Sequence, residues 1–298
     1  MNARELWLQG RMTGIGGSDA AAVLGLSRWK TPLQVYQEKR GEVLPTEDNE
    51  PMLWGRALEP VIRQQYAERN QVSVSVPTVM MRHPKYEFMI ANVDGLTDNG
   101  RLLEVKTTRN STDWGEAGSD EVPQAYLIQV QHYLTVTELD VADVAVLIGG
   151  SDYRQYVIEA DRELQEMIIE GEAMFWANVQ SQTMPEPVSY ADAIVRYGKA
   201  SIAQSIEADI STSKAVSQLV LLREEIKALE GKEELLKADI MKYMGENDTL
   251  TLSNIPLITW KAQAGSKRFD AKAFEAAHPD LHSQFVKVGE PSRRFLIK

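Results

Sequence analysis

The sequence predicts an α/β (α+β) protein, a core with a central mixed β-sheet flanked by helices, followed by a smaller helical and β module. Three observations carry this expectation. Helical and strand-like patterns alternate in the order helix, strands, helix, strands, helix up to about residue 180. A chain of 298 residues with 43% hydrophobic and 25% charged residues has the proportions of an ordinary globular protein with a substantial core. The breaker-rich TMPEPVS at 183–189 then ends that texture, so a domain over 1–185 and a C-terminal module over 190–298 are expected.

Residues 3–13 read as a helix containing Trp7 and Arg11. GIGGSDAAAVLGLS follows, a glycine-rich turn into an alanine-rich helix, with Ser18 at an N-cap position and Asp19 in the first turn. Pro32 opens a helix running to about Arg40. After the polar loop PTEDNEP a long helix spans Met52 to Asn70 and holds Glu59. VSVSVPTVMM alternates as a strand does. Turn residues Gly95, Asp98, Asn99 and Gly100 predict a hairpin in which Ile90–Asp94 pairs with Arg101–Lys106. A loop around 111–120 leads to a helix from Pro123 to Thr135, then to the strands VADVAVLIGG and YRQYVIEA and a helix from Asp161 to Gln180. In the second module a heptad-like apolar stripe runs along a helix from Ser213 to Met244, interrupted by Glu233. It suits a helix packed on its own domain as well as an intermolecular coiled coil. A hairpin (TLTLSNIPLITWKAQ), a short helix (DAKAFEAAHPDL) and a basic last strand (SRRFLIK) complete the expectation.

Composition removes several classes of function. Without cysteine there is neither a disulfide nor a thiolate metal site, which fits the cytoplasm, and four histidines argue against a multi-histidine zinc centre. No run approaches a membrane span and the N-terminus lacks the apolar stretch of a signal peptide, so a cytoplasmic protein with no membrane partner is expected. The net charge of −11 argues mildly against a broad nonspecific nucleic-acid surface. Charge is uneven, however: residues 261–298 carry eight Lys/Arg against four Asp/Glu.

DGLTDNGRLLEVK, from Asp94 to Lys106, carries the most chemistry. Alternation along a strand puts Glu104 and Lys106 on one face and Val105 on the other. Hairpin pairing would bring Asp94 beside them. Two carboxylates and a lysine at a sheet edge suit Mg²⁺, a hard cation that keeps several waters, with the lysine holding a polarised water for attack on a phosphodiester. By themselves these residues read more readily as a solvated strand face, and a turn-rich hairpin explains most of them without catalysis. Ser18 at the glycine turn suits a phosphate or simple capping, with Arg11 as a second cation. Gln129 and Tyr133 share a helix face while Gln131 points elsewhere, and His132 reads as decoration.

As an ordered set, Arg11, GIGGSDAAAVLG, GRALEP, ANVDG, LLEVKTT and QAYLIQVQHYL resemble the YqaJ-like viral recombinases. These are lambda-type phage alkaline exonucleases of the PD-(D/E)XK nuclease superfamily. The resemblance covers roughly residues 5–180 and implies a restriction-endonuclease-like core. It implies that Asp94, Glu104 and the Val105 backbone carbonyl bind Mg²⁺, with Mn²⁺ as a substitute. Lys106 would activate water, Glu59 would assist, and Gln129 or Gln131 would complete the site. Arg11 and Ser18 would grip a DNA 5′ phosphate. Val93 replaces the proline of Pro-Asp, which such nucleases often tolerate, and Asn92 stands where lambda-type enzymes carry a serine for that phosphate, so the pocket is altered rather than lost.

The implied activity is 5′→3′ hydrolysis of one strand at double-stranded DNA ends, leaving 3′ overhangs for a single-strand annealing protein in phage or prophage recombination in a bacterial host. A homotrimeric ring threading DNA is the implied assembly. Two other readings compete: a PD-(D/E)XK endonuclease or repair nuclease with the same chemistry, and a non-catalytic DNA-binding recombination scaffold.

Overall fold

The computed structural model describes residues 9–43, 49–199, 204–265, 269–287, 289 and 292–297. The start of the expected first helix and most of the PTEDNEP loop lie outside them; residues 9–11 are helical. The chain divides into two compact units, 1–196 and 197–298. The division falls beyond the TMPEPVS breaker because a helix that periodicity did not predict, Tyr190–Tyr197, is tied to the first unit. Thr31 Oγ1 donates to Asp192 (2.8 Å), and Arg196 Nη1 donates to the carbonyls of Met184 and Pro185.

In the first unit the order is β1 (Ile15–Gly16), α1 (Gly17–Val23), α2 (Pro32–Lys39), α3 (Glu50–Asn70), β2 (Val74–Ser75), β3 (Met81–Arg82), β4 (Met89–Ala91), β5 (Gly95–Thr97), β6 (Leu102–Thr108), α4 (Gln124–Thr137), β7 (Val141–Ile148), β8 (Asp152–Glu159), α5 (Arg162–Gln180) and α6 (Tyr190–Tyr197). The main sheet has the strand order β2-β5-β6-β7-β8 and is mixed: β6 and β7 run parallel across the α4 crossover, and the other neighbours are antiparallel. A small sheet, β1-β4-β3, stands beside it.

Both faces of β6 and β7 are covered, which is why their sequences are nearly continuous apolar runs. Leu103, Val105 and Ala145 pack under Ile62 and Tyr66 of α3. Leu102, Val144 and Val146 face Ile128, Val130 and Leu134 of α4. A bidentate pair closes the α3 side, Arg101 Nε and Nη2 donating to Asp143 at 2.6 Å each, with Tyr66 Oη donating to the same carboxylate.

The hairpin differs from expectation in its first strand. Ile90 belongs to β4 and pairs with β1 and β3, while Gly95–Thr97 pairs with β6 through Gly95↔Leu103 and Leu96↔Leu102. Gly95, expected in the turn, is a strand residue; Asp98–Gly100 makes the turn, with Gly100 at φ +81°. A strand of only three residues carries too little periodicity to be told from its flanks. The alternating VSVSVPTVMM yields two short strands, β2 and β3, with Pro77 between them, since Pro lacks the donor a ladder needs.

The second unit contains α7 (Ile210–Met244), the hairpin β9 (Thr249–Leu252) with β10 (Ile255–Thr259), α8 (Ala271–Ala277) and α9 (Pro279–Phe285). Asp209 caps α7 by accepting from the Thr212 amide at 2.7 Å. The expected final strand does not form: residues 292–297 are irregular.

Candidate active site

The register of β5 on β6 continues to Asp94 opposite Glu104, and the hydrogen bonds agree. Asp94 Oδ2 accepts from the Val105 amide at 2.8 Å. A strand residue's N–H and C=O leave the same edge, so the Val105 carbonyl also faces the Asp94 side. Glu104 is buried on the α4 face, where Oε1 accepts from Gln129 Nε2 (2.7 Å) and from Lys106 Nζ. Lys106 Nζ also donates to Gln129 Oε1 at 3.1 Å and lies 4.8 Å from the centre of the Tyr126 ring. Gln129 therefore holds both members of the Glu-x-Lys pair, one with each end of its amide. Nε2 also donates to Tyr133 Oη at 3.3 Å.

The electrostatics match this crowding. Burial pushes the Asp94 carboxyl up to about 8, and the neighbouring Glu104 adds to the rise while Lys106 opposes it. Burial works against the Lys106 ammonium, but Glu104 and Asp94 outweigh it and hold the amine above its ordinary value. Burial lifts the Tyr133 hydroxyl well above its ordinary value.

Glu104 Oε2 is buried and has no hydrogen-bond partner. A lone carboxylate oxygen in that position costs free energy unless something binds it. With the Asp94 carboxylate and the Val105 carbonyl it makes an all-oxygen donor set, which suits a Mg²⁺ ion that retains waters. Among the described residues no cluster of three or more His, Cys, Asp or Glu side chains is arranged to hold a metal. Two carboxylates are thus the side-chain complement available here.

The other expected residues fall at graded distances from this cluster. Glu59 reaches it only indirectly: it pairs with Arg63 (2.8 Å), which donates to the Asp94 carbonyl at 2.9 Å. The reason is that α3 covers the Leu103/Val105 face of β6, opposite Glu104. Gln131 is turned away. It donates to the Glu159 carbonyl (2.7 Å) and accepts from the Asp161 amide and Gln165 at 3.1 Å each, tying α4 to α5. The expectation that it completes the site is corrected, because two residues along a helix is about half a turn. His132 is not decoration: it is buried between the Ile90 carbonyl (2.9 Å) and Glu172 (2.7 Å).

At the glycine turn Gly16, not Ser18, is the N-cap of α1, and Ser18 is an exposed residue of its first turn. Arg11 Nη2 donates to Ser18 Oγ (3.0 Å) and to Asp19 Oδ1 (2.7 Å). Asp19 is buried, and Lys39 Nζ meets its other oxygen at 2.6 Å. Burial opposes ionisation of Asp19, yet Arg11 and Lys39 overcome it and hold the carboxyl below the ordinary range. Asn92 is exposed on the segment entering Asp94. Gly17 lets this turn approach α4: a Cβ there would meet the Tyr133 ring at 2.5 Å. Tyr133 thus lies against both the turn and the Gln129 amide.

Arg63, Lys39 and Tyr126 escaped sequence reading, and Asp19 was placed in a first turn but given no part in the site. Arg63 had a usable signal, one helical turn from Glu59. Lys39 had none, since nothing local connects it to Asp19.

The mixed sheet enclosed by helices is the fold shared with solved alkaline exonucleases. Of the solved structures, alkaline exonuclease LHK-Exo from Laribacter hongkongensis superposes with TM-score 0.50 at 20% identity, over 60% of this chain and 94% of its own. A second structure of that protein, in complex with dAMP, gives TM-score 0.50 at 21% identity over the same shares. The protein YqaJ of Bacillus subtilis (strain 168) is 33% identical over 307 aligned residues, covering 99% of this chain and 94% of YqaJ. The chain belongs to the YqaJ-like viral recombinase family, whose domain matches residues 6–140.

Proposed function

We propose that the chain is a Mg²⁺-dependent exonuclease that degrades one strand of duplex DNA from its 5′ end, leaving 3′ overhangs for a single-strand annealing protein in phage-type recombination. The carrying observation is the buried Glu104 carboxylate with one oxygen lacking a partner, set beside Asp94 and Lys106. The dAMP bound by LHK-Exo is a nucleotide of the class such hydrolysis releases, which supports the reading.

Asp94, Glu104 and the Val105 carbonyl are the residues that would hold the ion. Bound Mg²⁺, or Mn²⁺ in its place, supplies a water of lowered pKa and offsets charge developing on the phosphate. Lys106, kept charged by Glu104 and aimed by Gln129, would orient the attacking water and offset charge developing on the phosphodiester. Gln129 fixes the Glu104 rotamer so that its second oxygen stays available. Glu59 acts at a distance, by holding Arg63 against the Asp94 backbone. Arg11 and Ser18 would receive the 5′ phosphate, with the Asn92 amide adding a donor in place of a serine hydroxyl. A homotrimeric ring would retain the duplex by topology and so make an acidic chain processive.

Digestion of end-labelled linear duplex with Mg²⁺ tests this. Release of mononucleotides, faster from 5′-phosphorylated than from 5′-hydroxyl ends, with closed circular DNA left intact, is the expected result. Cleavage of the closed circle would establish an endonuclease instead. No hydrolysis with Mg²⁺ or Mn²⁺ would leave a DNA-binding scaffold.

A further inference from the structure

Helix α7 spans 35 residues and buries only Met244. One set of its apolar residues nevertheless follows a spacing of three and four: Leu219, Leu222, Ile226, Leu229, Leu236, Ile240 and Tyr243, with Glu233 filling the one gap and Val220, Leu221, Leu235 and Met241 lying off the stripe. Taking Leu219 as position a of the heptad, these residues are the a and d positions throughout. Leu222, Ile226, Leu229, Leu236 and Tyr243 are each more than half exposed. A 3.5-residue period produces a seam for another helix rather than the broader face that a helix turns to its own core.

The flanking charges identify the occupant. Glu225 and Lys232 are g positions; Arg223, Glu230 and Lys237 are e positions. In a parallel pair or trimer of this helix, each g residue meets the e residue five positions on in its neighbour. That would oppose Glu225 to Glu230 and Lys232 to Lys237, like charges at both contacts. In an antiparallel pair, g meets g and e meets e. Aligning Ile226 with Leu229 of the second copy also aligns Leu219 with Leu236 and Ala215 with Ile240, overlapping the helices along nearly their whole length. The same alignment sets Glu225 against Lys232 and Arg223 against Glu230, each contact occurring twice by symmetry. Glu233 opposes Leu222 in this arrangement, and its carboxylate is drawn to the rim by Lys237 one turn on, at 2.6 Å.

We propose that α7 is a self-association element that pairs antiparallel with α7 of a second copy of this chain. The pairing is independent of the nuclease reading and links two chains whatever assembly their first units form.

The full-length protein tests it in sedimentation equilibrium and by electron–electron distance measurement. Lys232→Glu puts like charges at two contacts and is expected to weaken association about tenfold, and Glu225→Lys added to it restores the wild-type affinity. Leu229→Asp, at the seam, is expected to halve the mass of the assembly, with circular dichroism reporting whether the helix persists. The chain has no cysteine, so one spin label at Ser217→Cys reports orientation: in the antiparallel pair the labelled backbones lie ~30 Å apart along the axis, at about 1.5 Å rise per residue. Stronger association of Lys232→Glu, labels in near contact, or a mass unaffected by all of these changes would each overturn the proposal.

Discussion

Lys106 is held by three groups at once, the Glu104 carboxylate, the Gln129 amide and the Tyr126 ring. Removing the ammonium should therefore lower stability as well as slow the chemistry, because it leaves the buried Glu104 carboxylate without its cation. Lys106→Ala is expected to lower nuclease kcat by about 10³-fold, on the scale of losing a positioned donor at developing charge, with duplex affinity changed little. A steady-state assay with Mg²⁺ beside a binding titration in Ca²⁺ checks the split. Asp94 makes the opposite prediction for stability. The folded state keeps a proton at Asp94 up to about pH 8, whereas the unfolded chain releases it near 3.8. The folded state thus binds more protons across that window, and metal-free stability falls as pH rises through it. Asp94→Asn is expected to raise the metal-free melting temperature at pH 8 by a few degrees, roughly 1–2 kcal/mol, and to abolish the stabilisation by Mg²⁺ expected of the parent. Scanning calorimetry with and without Mg²⁺ reads both effects.

At the scale of elements, α4 is the organiser: one helix places Gln129 on the site, Gln131 on α5 and His132 under β4. His132 sits in a fully buried pair with Glu172, whose second oxygen has no partner. Burial opposes the imidazolium, but Glu172 outweighs it and raises the His132 pKa above its ordinary value. Its contribution to stability is therefore complete below the unfolded histidine value of 6.5 and is lost as pH rises through the higher folded value. His132→Ala strands a buried carboxylate and is expected to cost about 3–5 kcal/mol at neutral pH, measured by urea unfolding. Gln131→Ala should lower the melting temperature while leaving kcat unchanged, since it loses its ties to Glu159, Asp161 and Gln165 and touches nothing in the site. Gly17→Ala drives a methyl into the Tyr133 ring. Loss of nuclease activity together with a lower melting temperature is the outcome expected in the same two assays.

Local sequence carried the elements with strong periodicity: α3, α4, β7, β8 and α5 stand within a few residues of where their patterns predict. It failed where elements are two or three residues long, as in β1 and β5, because so short a segment is shaped by its neighbours rather than by its own pattern. It failed again for α6, whose place follows from the Thr31–Asp192 contact across 161 residues of chain. Asp19, Arg11 and Lys39 illustrate the same limit within the site. Arg11 and Asp19 are near neighbours in sequence, but the lysine that also neutralises the buried carboxylate comes from another helix.

For the molecule as a whole, the first unit contains both faces of the main sheet and every residue placed in the candidate site. A chain ending at Gly198 is expected to unfold cooperatively and to retain the hydrolytic centre, which thermal unfolding and a nuclease assay on short duplexes would establish. The sequence alone determined the residue types that carry the chemistry and the face on which each lies, because strand and helix periods are local properties of the backbone. It also determined the heptad seam of α7, which needs only the chain's own order. Tertiary structure decided which faces meet: that Gln129 rather than Gln131 grips Glu104 and Lys106, that Glu59 is separated from Glu104 by the sheet, and that Asp19 finds Lys39. Those contacts join segments far apart in the chain, so only packing and the need to satisfy buried charge select them.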